Sequence, residues 1–193
     1  MSYTRQPLLT GVTYFLTIRL ADPHSDLLLR RIDLLRRAMR ETLNRHPFRI
    51  DAITVLPATL HMLCTLPPGE RACPRRIAML KSRFSRGCPM SENRSSGQIK
   101  RGEKGIWRRH HWQHVIRDAD DLMRHRDLIY FSPVHTGLCA SPQEWVHTSL
   151  HRDVRAGIHL PLGLHNSTQA KPIAQRPTTR LPNETKQIAG VVP

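Results

Sequence analysis

The sequence predicts an α+β fold built on a four-stranded antiparallel sheet. Short runs rich in β-branched residues alternate with segments whose apolar residues recur every three or four positions. Their order is strand, helix, strand, strand, helix, strand and helix. This is the split βαβ, ferredoxin-like plan, in which helices cover one face of the sheet and the other face is free for a ligand. The last helix is an addition to that plan.

The first half of the chain contains three predicted strands and one long predicted helix. Residues 13–20 read TYFLTIRL, a β-branched and aromatic run typical of a strand. From 26 to 45 the apolar spacing predicts an amphipathic helix, which Pro47 ends. Two further strands, over 49–56 and 60–66, are separated by a tight connection, so we expect them to pair as a hairpin.

The second half predicts two more helices and the fourth strand. A helix over 75–86 carries several outward-facing basic residues, and a polar, basic loop follows over 90–105. The fourth strand is predicted over 106–116. Asp118 caps a helix that runs to about Phe131, and Pro133 ends it.

The C-terminal part of the chain loses periodicity. A short helical piece is predicted over 145–155, and residues 160–193 are rich in Pro, Thr, Asn and Gln. Such a composition cannot bury enough apolar surface to fold. We therefore predict one domain over 8–157 and a disordered tail over 158–193.

Charge indicates the kind of partner. Thirty Lys and Arg oppose fifteen Asp and Glu, which gives a net charge of +15. A field of this sign favours a polyanion through steering and counterion release. Most of the basic residues are arginine, whose planar fork matches phosphate and guanine edges. We expect a nucleic-acid partner; the alternative is a basic protein that is merely soluble.

Other sequence features exclude several classes of protein. No apolar run approaches the ~18 residues of a membrane span, and the N-terminus has no signal-peptide pattern. None of the four cysteines forms a C-x-x-C pair. The expectation is a soluble, cytoplasmic protein with reduced thiols and no membrane partner.

Five separated blocks of this chain resemble the REP-associated tyrosine transposases, the single-tyrosine branch of the HUH transposases. The blocks read TGVTYFLTIRLADPHSDLL, RHPFRIDAITVLPATLHMLCTLPPGE, LKSRFSR, GIWRRHHWQHVIRDADDLMRH and DLIYFSPVHTGL. They cover roughly residues 8–152 in the family's order. The resemblance implies that 8–157 is a transposase domain and that its extra C-terminal helix carries the nucleophile position.

The resemblance also implies a chemistry. In this family, two strand histidines separated by one residue hold Mg²⁺ or Mn²⁺ beside a single-stranded DNA phosphate. A helix tyrosine attacks that phosphate and forms a 5′-phosphotyrosine link, which lets DNA be cleaved and rejoined. The implied partner is hairpin DNA of repeated extragenic palindromes. The protein is expected to be nucleoid-associated, as a monomer or homodimer.

This chain departs from the family pattern at three catalytic positions. His61 matches the second histidine, but Thr59 occupies the place of the first. Leu128 occupies the place of the tyrosine, and Ser132 that of the polar metal ligand four residues later. A leucine cannot attack phosphorus, and hydroxyls are weak ligands for a hard cation. We therefore expect weakened metal binding and impaired cleavage.

A substitute nucleophile is the alternative to impairment. Tyr130 is two residues beyond the expected position, which on a helix is a rotation of ~200°. Its simpler interpretation is a packing or surface tyrosine. Tyr3 and Tyr14 lie near the N-terminus and are poorer candidates.

Basic and aromatic residues are interleaved in two segments, an arrangement typical of single-strand binding. We expect one of Trp107 and Trp112 to be buried and the neighbouring cations to be exposed. The predicted DNA contacts are Lys81, Arg83, Arg86, Trp107, Arg108, Arg109, His110 and His111.

Three hypotheses for function remain at this point. The first is a metal-dependent transposase that cleaves and rejoins DNA at palindromic repeats, impaired in this copy. The second is a remnant of the same family that binds DNA hairpins without cleaving them. The third is an unrelated RNA-binding protein, which is disfavoured because the strands lack the aromatic pattern of RNA-recognition sheets.

Overall fold

The computed structural model describes residues 11–158, which lie within one compact unit, Met1–Leu160. The predicted start of the domain at residue 8, Tyr3 and the predicted tail from 159 onward lie outside the described residues. Over 11–158, no helix combines the length and the apolar character that crossing a bilayer requires.

The elements follow the predicted order and form one antiparallel sheet. The strand order is β2-β3-β1-β4, which confirms the ferredoxin-like plan. The elements are β1 (Thr13–Arg19), α1 (Leu27–Arg30), α2 (Ile32–Arg45), β2 (Arg49–Val55), β3 (Thr59–Thr65), α3 (Cys73–Arg86), α4 (Ser96–Lys100), β4 (Trp112–Val115), α5 (Ala119–His135), a 3-10 turn (Pro142–Glu144) and α6 (Leu150–Arg155).

The two faces of the sheet have different coverings. Alternate residues of β1, such as Leu16 and Ile18, join the main core with the apolar sides of α2 and α3. The opposite face is not free, which corrects the sequence-based prediction. There Phe15 and Leu63 pack with residues of α5 and α6, because those helices also have apolar sides to bury. We call this second side the α5 face.

The fourth strand is shorter than predicted. Of residues 106–116, only Trp112–Val115 pairs as β4 with β1, while Trp107 makes an isolated bridge to Leu20. The intervening segment is held from outside the sheet, because the Lys81 ammonium donates to the carbonyls of Arg108 and Arg109 at 2.9 and 3.3 Å. The predicted loop before this strand contains the short helix α4, which Ser95 caps.

Helix α5 continues through the proline that was predicted to end it. Proline has no N–H, so the carbonyl four residues before Pro133 loses its helical partner. That carbonyl belongs to Ile129, and the Ser132 hydroxyl donates to it at 2.7 Å. The helix therefore tolerates Pro133 and ends at His135.

The segment predicted as a helix over 145–155 is extended before it becomes α6. Its extended part covers the outer edge of β2, where Ile53 N–H donates to the Ser149 hydroxyl and Ser149 N–H to the Ile53 carbonyl. Thr54 and Thr148 form a bridge at the same edge. This covering protects β2 from pairing with another chain.

Candidate nucleic-acid interface and catalytic face

The positions that the resemblance assigns to the two metal-binding histidines lie on β3. Residues at i, i+2 and i+4 of a strand share one face, so Thr59 and His61 lie on the same face as Leu63, which packs against α5. A hydrogen bond of 3.0 Å joins His61 Nδ1 to the Thr17 hydroxyl, and the ring stacks on Phe15 at a centroid distance of 5.9 Å. His61 is half-buried and held firmly within the sheet.

Burial keeps the His61 ring neutral. Loss of solvent, with a smaller contribution from the Arg19 charge, lowers the pKa of His61 to about 4. The ring therefore carries no charge at neutral pH, which is the form that can ligate a metal.

The two altered positions on α5 face the sheet with His61. Leu128 packs against the cluster that contains Phe15 and Leu63, and Ser132 is buried one helical turn later. The structure therefore places positions 59, 61, 128 and 132 on the α5 face, although no nucleophile stands at 128.

The side chains at the family's metal positions do not fit a tightly bound Mg²⁺ or Mn²⁺. They supply one imidazole and two neutral hydroxyls, and no carboxylate. The Ser132 hydroxyl is directed to the Ile129 carbonyl, where it supports the helix before Pro133. A hard divalent cation prefers anionic oxygen ligands, so this set offers little affinity.

Tyr130 lies in the core, which opposes its role as a substitute nucleophile. The side chain is 2% exposed, and its hydroxyl donates to the Asp153 carboxylate of α6 and lies 3.2 Å from the Ser149 hydroxyl. Burial and the Asp153 hydrogen bond raise the pKa of Tyr130 well above its ordinary value. A tyrosine that attacks phosphorus must be reachable and must lose its proton, and Tyr130 meets neither requirement. Its function in the structure is to pack α5 against α6.

The lowered pKa of His61 predicts a pH-dependent stability. Between pH 6.5 and 4 the unfolded chain binds a proton at this position while the folded chain does not, so the free energy of unfolding falls as the pH falls. The full difference corresponds to at most about 3 kcal/mol. We expect His61→Gln to remove this part of the pH dependence, measured by urea unfolding at pH 7 and pH 4. Parallel pH profiles for the two proteins would show that His61 titrates normally.

A basic groove of about 850 Å³ lies between α3 and the segment 102–113. It brings together most of the predicted DNA contacts, which come from two separate parts of the sequence. The predicted residues that line it are Lys81, Arg86, Trp107, Arg108, Arg109, His110 and His111.

Two of the predicted contacts have other partners. The Lys81 ammonium is half-buried between the carbonyls of Arg108 and Arg109, and burial lowers the pKa of Lys81. Lys81 therefore fixes the shape of the groove, and its ammonium is not a free charge for a phosphate. Arg83 lies outside the groove and forms an ion pair with Glu41 of α2. Because Arg83 is two residues from Lys81, it points to a different side of α3, and its predicted DNA contact stays a prediction.

The two tryptophans of the segment behave as predicted, since one is buried and the other exposed. Trp107 is 9% exposed, packs edge-on against Phe84 and donates its Nε1–H to the Lys81 carbonyl at 3.2 Å. It forms a wall of the groove and offers no open ring for a base to stack on, and its predicted DNA contact stays a prediction. Trp112 is 53% exposed and contacts Phe15 on the α5 face.

Sequence reasoning missed several residues of the two surfaces. Gln113 lines the groove, and so do Ser82 and Ser85 of α3. The sequence could have indicated that Ser85 lines the groove, because it is four residues from Lys81 and residues at that spacing share one side of a helix. Trp112 belongs to the interleaved basic and aromatic segment, but only the sheet register places it beside Phe15 and His61.

Comparisons with known proteins agree with the predicted family and fold. No protein-family model matches the chain. A Haemophilus influenzae protein assigned to the REP-associated tyrosine transposases is 38% identical over 160 residues, which are 82% of this chain and 91% of that protein. The REP-associated tyrosine transposase of Escherichia coli K12 is 33% identical over 159 residues, which are 82% of this chain and 88% of that protein.

A solved structure extends the likeness to three dimensions. It contains a REP-associated tyrosine transposase bound to a REP hairpin, and it matches with a TM-score of 0.69 and 29% identity, covering 90% of this chain and 96% of the other. Because the identity holds over nearly the whole length of its relatives, the chain belongs to the REP-associated tyrosine transposase family.

Proposed function

We propose that this chain binds a folded single-stranded DNA hairpin in the basic groove and that the family's cleavage and rejoining step is impaired in it. The observation that carries the binding part is the groove itself. Three exposed arginines, Arg86, Arg108 and Arg109, converge there from α3 and from the segment before β4. Arginines arranged along a groove follow a phosphate backbone, and their contacts release counterions.

Two further observations support a hairpin as the ligand. The structural relative was solved with a REP hairpin bound, and its fold covers most of this chain. The exposed Trp112 lies on the α5 face, where an unpaired base could stack on its ring. Binding in the groove and stacking beside His61 suit a molecule that has both a duplex stem and unpaired nucleotides.

The impairment rests on side-chain chemistry. Forming a phosphotyrosine link requires a tyrosine oxygen that attacks phosphorus while the departing 3′ oxygen takes up a proton. Leu128 has no such oxygen, and both Tyr14 and Tyr130 are buried within residues 11–158. The alternative, a transposase that still cleaves with Tyr130, requires this side chain to leave Asp153 and the core.

Salt dependence of binding tests the groove. Replacing Arg86, Arg108 or Arg109 with Ala should weaken binding of a labelled DNA hairpin and lower the slope of log affinity against log salt by about one for each phosphate that the variant no longer neutralises. Arg83→Ala is the matched control, since it removes the same charge from the same helix outside the groove. Its slope is expected to stay unchanged. Fluorescence anisotropy across a series of salt concentrations measures all four variants.

Two outcomes would contradict the DNA-binding part of this function. If the three groove variants kept the native slope, the groove would not be the DNA site. If an RNA hairpin of the same sequence bound as tightly as the DNA hairpin, the RNA-binding hypothesis would be favoured. A covalent protein–DNA product from the native chain would contradict the impairment alone.

A further inference from the structure

Three potential metal ligands meet where β4 joins α5, away from the family's metal positions. They are His114 of β4 and Asp121 and His125 of α5, and one ligand atom from each lies within 4.8 Å of the others. His114 Nε2 is 2.8 Å from one Asp121 carboxylate oxygen, and His125 Nδ1 is 3.1 Å from the other. Over residues 11–158, these are the only three such side chains that converge in this way.

The local structure fixes this cluster. The Asp118 carboxylate caps α5 by accepting from Asp121 N–H at 2.7 Å, which sets the first turn of the helix. Asp121 and His125 are four residues apart and therefore share one side of α5. The His114 ring stacks on the His125 ring at a centroid distance of 4.7 Å. Both rings are partly buried, and Asp121 is 5% exposed.

We propose that His114, Asp121 and His125 form a binding site for one divalent cation of the Zn²⁺ class. Two imidazoles with one carboxylate are a donor set typical of Zn²⁺ and of the neighbouring first-row transition metals. Mg²⁺ and Ca²⁺ prefer all-oxygen sites and would bind poorly. With three protein ligands, at least one coordination position stays open to water or to an oxygen of a bound molecule.

The distances suit such an ion after a small movement. Bonds of about 2.0 to 2.2 Å to a tetrahedral ion place its ligands roughly 3.4 Å apart. The separations of 2.8 and 3.1 Å to Asp121 are close to this, so rotations of the two rings would complete the geometry. His125 Nδ1 also lies 2.8 Å from the Asp121 backbone carbonyl, so an ion would replace this hydrogen bond as well as the contacts that the two rings make with the Asp121 carboxylate.

Two residues of the cluster lie on the same helix as the positions that the resemblance assigns to the nucleophile and to a metal ligand. Asp121 and His125 lie on the same side of the helix as Leu128 and Ser132, and His125 precedes Ser132 by two turns, or about 10 Å. The centroids of the His125 and Phe15 rings are 4.8 Å apart, and the Phe15 ring stacks on that of His61. The chain thus has a complete donor set on the α5 face, where its family positions 59 and 132 provide only hydroxyls.

The test uses the full-length, untagged chain after removal of metal. Titration calorimetry with Zn²⁺ is expected to show one site, and His125→Gln and Asp121→Asn are each expected to weaken it at least tenfold. His24→Gln is the matched control, because His24 is an exposed histidine outside the cluster. Cys139→Ser is a second control, since a thiol could also bind zinc. Neither control should change the affinity.

Co²⁺ offers an independent measurement that needs no variant. Its visible absorption should report nitrogen and oxygen ligands without a thiolate charge-transfer band. The proposal is overturned if Zn²⁺ does not bind the native chain, if the ligand variants bind as tightly as the native chain, or if Co²⁺ reports thiolate ligands. Hairpin affinity in EDTA tests the groove separately, so either idea can fail while the other stands.

Discussion

The triple variant Thr59→His, Leu128→Tyr, Ser132→Asn is expected to form a covalent complex with a DNA hairpin in the presence of Mn²⁺. The resemblance assigns two of the three expected metal ligands to positions 59 and 132 and the nucleophile to position 128, and the fold holds all three positions on the α5 face. Loss of a nucleophile typically lowers the rate by several orders of magnitude. We therefore expect at least about a 10³-fold gain in covalent product over the native chain.

Each part of this variant has a distinct role. Tyrosine at 128 supplies the attacking oxygen, while histidine at 59 and asparagine at 132 add the metal ligands that the hydroxyls do not provide. Leu128→Tyr alone should therefore give less product than the triple variant. Denaturing gels with an end-labelled hairpin measure the covalent complex. Circular dichroism checks that the larger side chain at the buried position 132 is accommodated.

The matched control is Tyr130→Phe in the triple background. Because Tyr130 is buried against Asp153, its removal should leave the covalent product in place. Loss of product in this control would make Tyr130 the nucleophile. A folded triple variant that yields no product would show that more than these three substitutions separates this chain from active members of its family.

Tyr130→Ala is expected to destabilise the protein by about 3 to 5 kcal/mol, the range for a large buried aromatic residue. The ring fills the contact between α5, α6 and the sheet, together with Ile129 and Leu150. Tyr130→Phe keeps the ring but leaves the buried Asp153 carboxylate without this hydroxyl donor, at a cost of about 1 to 3 kcal/mol. Urea unfolding monitored by circular dichroism measures both.

Leu138→Ala is the control for these two variants. Leu138 lies just after α5 and is 41% exposed, so its replacement should change stability by less than about 0.5 kcal/mol. A destabilisation of less than about 1 kcal/mol in Tyr130→Ala would show that the aromatic ring is not a core element, and would reopen its use as a nucleophile.

The element order of the fold was determined by the sequence, because hydrophobic periodicity is local. The β-branched run of β1 and the three-to-four spacing of α2 each depend on residues within one element. The element order then leaves few topologies, and the ferredoxin-like one was found. The sequence alone also determines the chemistry that is possible at a single position. Leu128 cannot be a nucleophile, whatever surrounds it.

The sequence was less able to define where elements end. Pro133 predicts a helix end by local rules, yet α5 continues because the Ser132 hydroxyl serves the carbonyl that the proline leaves open. β4 is shorter than the sequence pattern predicts because Lys81 of α3 holds the segment that precedes the strand away from the sheet. In both cases a side-chain hydrogen bond overrides the backbone preference.

Only the tertiary structure decided which functional side chains are available. Tyr130 and Asp153 are twenty-three residues apart, and Lys81 and Arg108 are twenty-seven, so no local pattern encodes these pairs. The exposure of a side chain depends on everything that packs around it. For that reason the sequence does not show which of Trp107 and Trp112 is buried. The sequence also did not predict that His114 lies beside Asp121 and His125, because this arrangement depends on how β4 and α5 pack together.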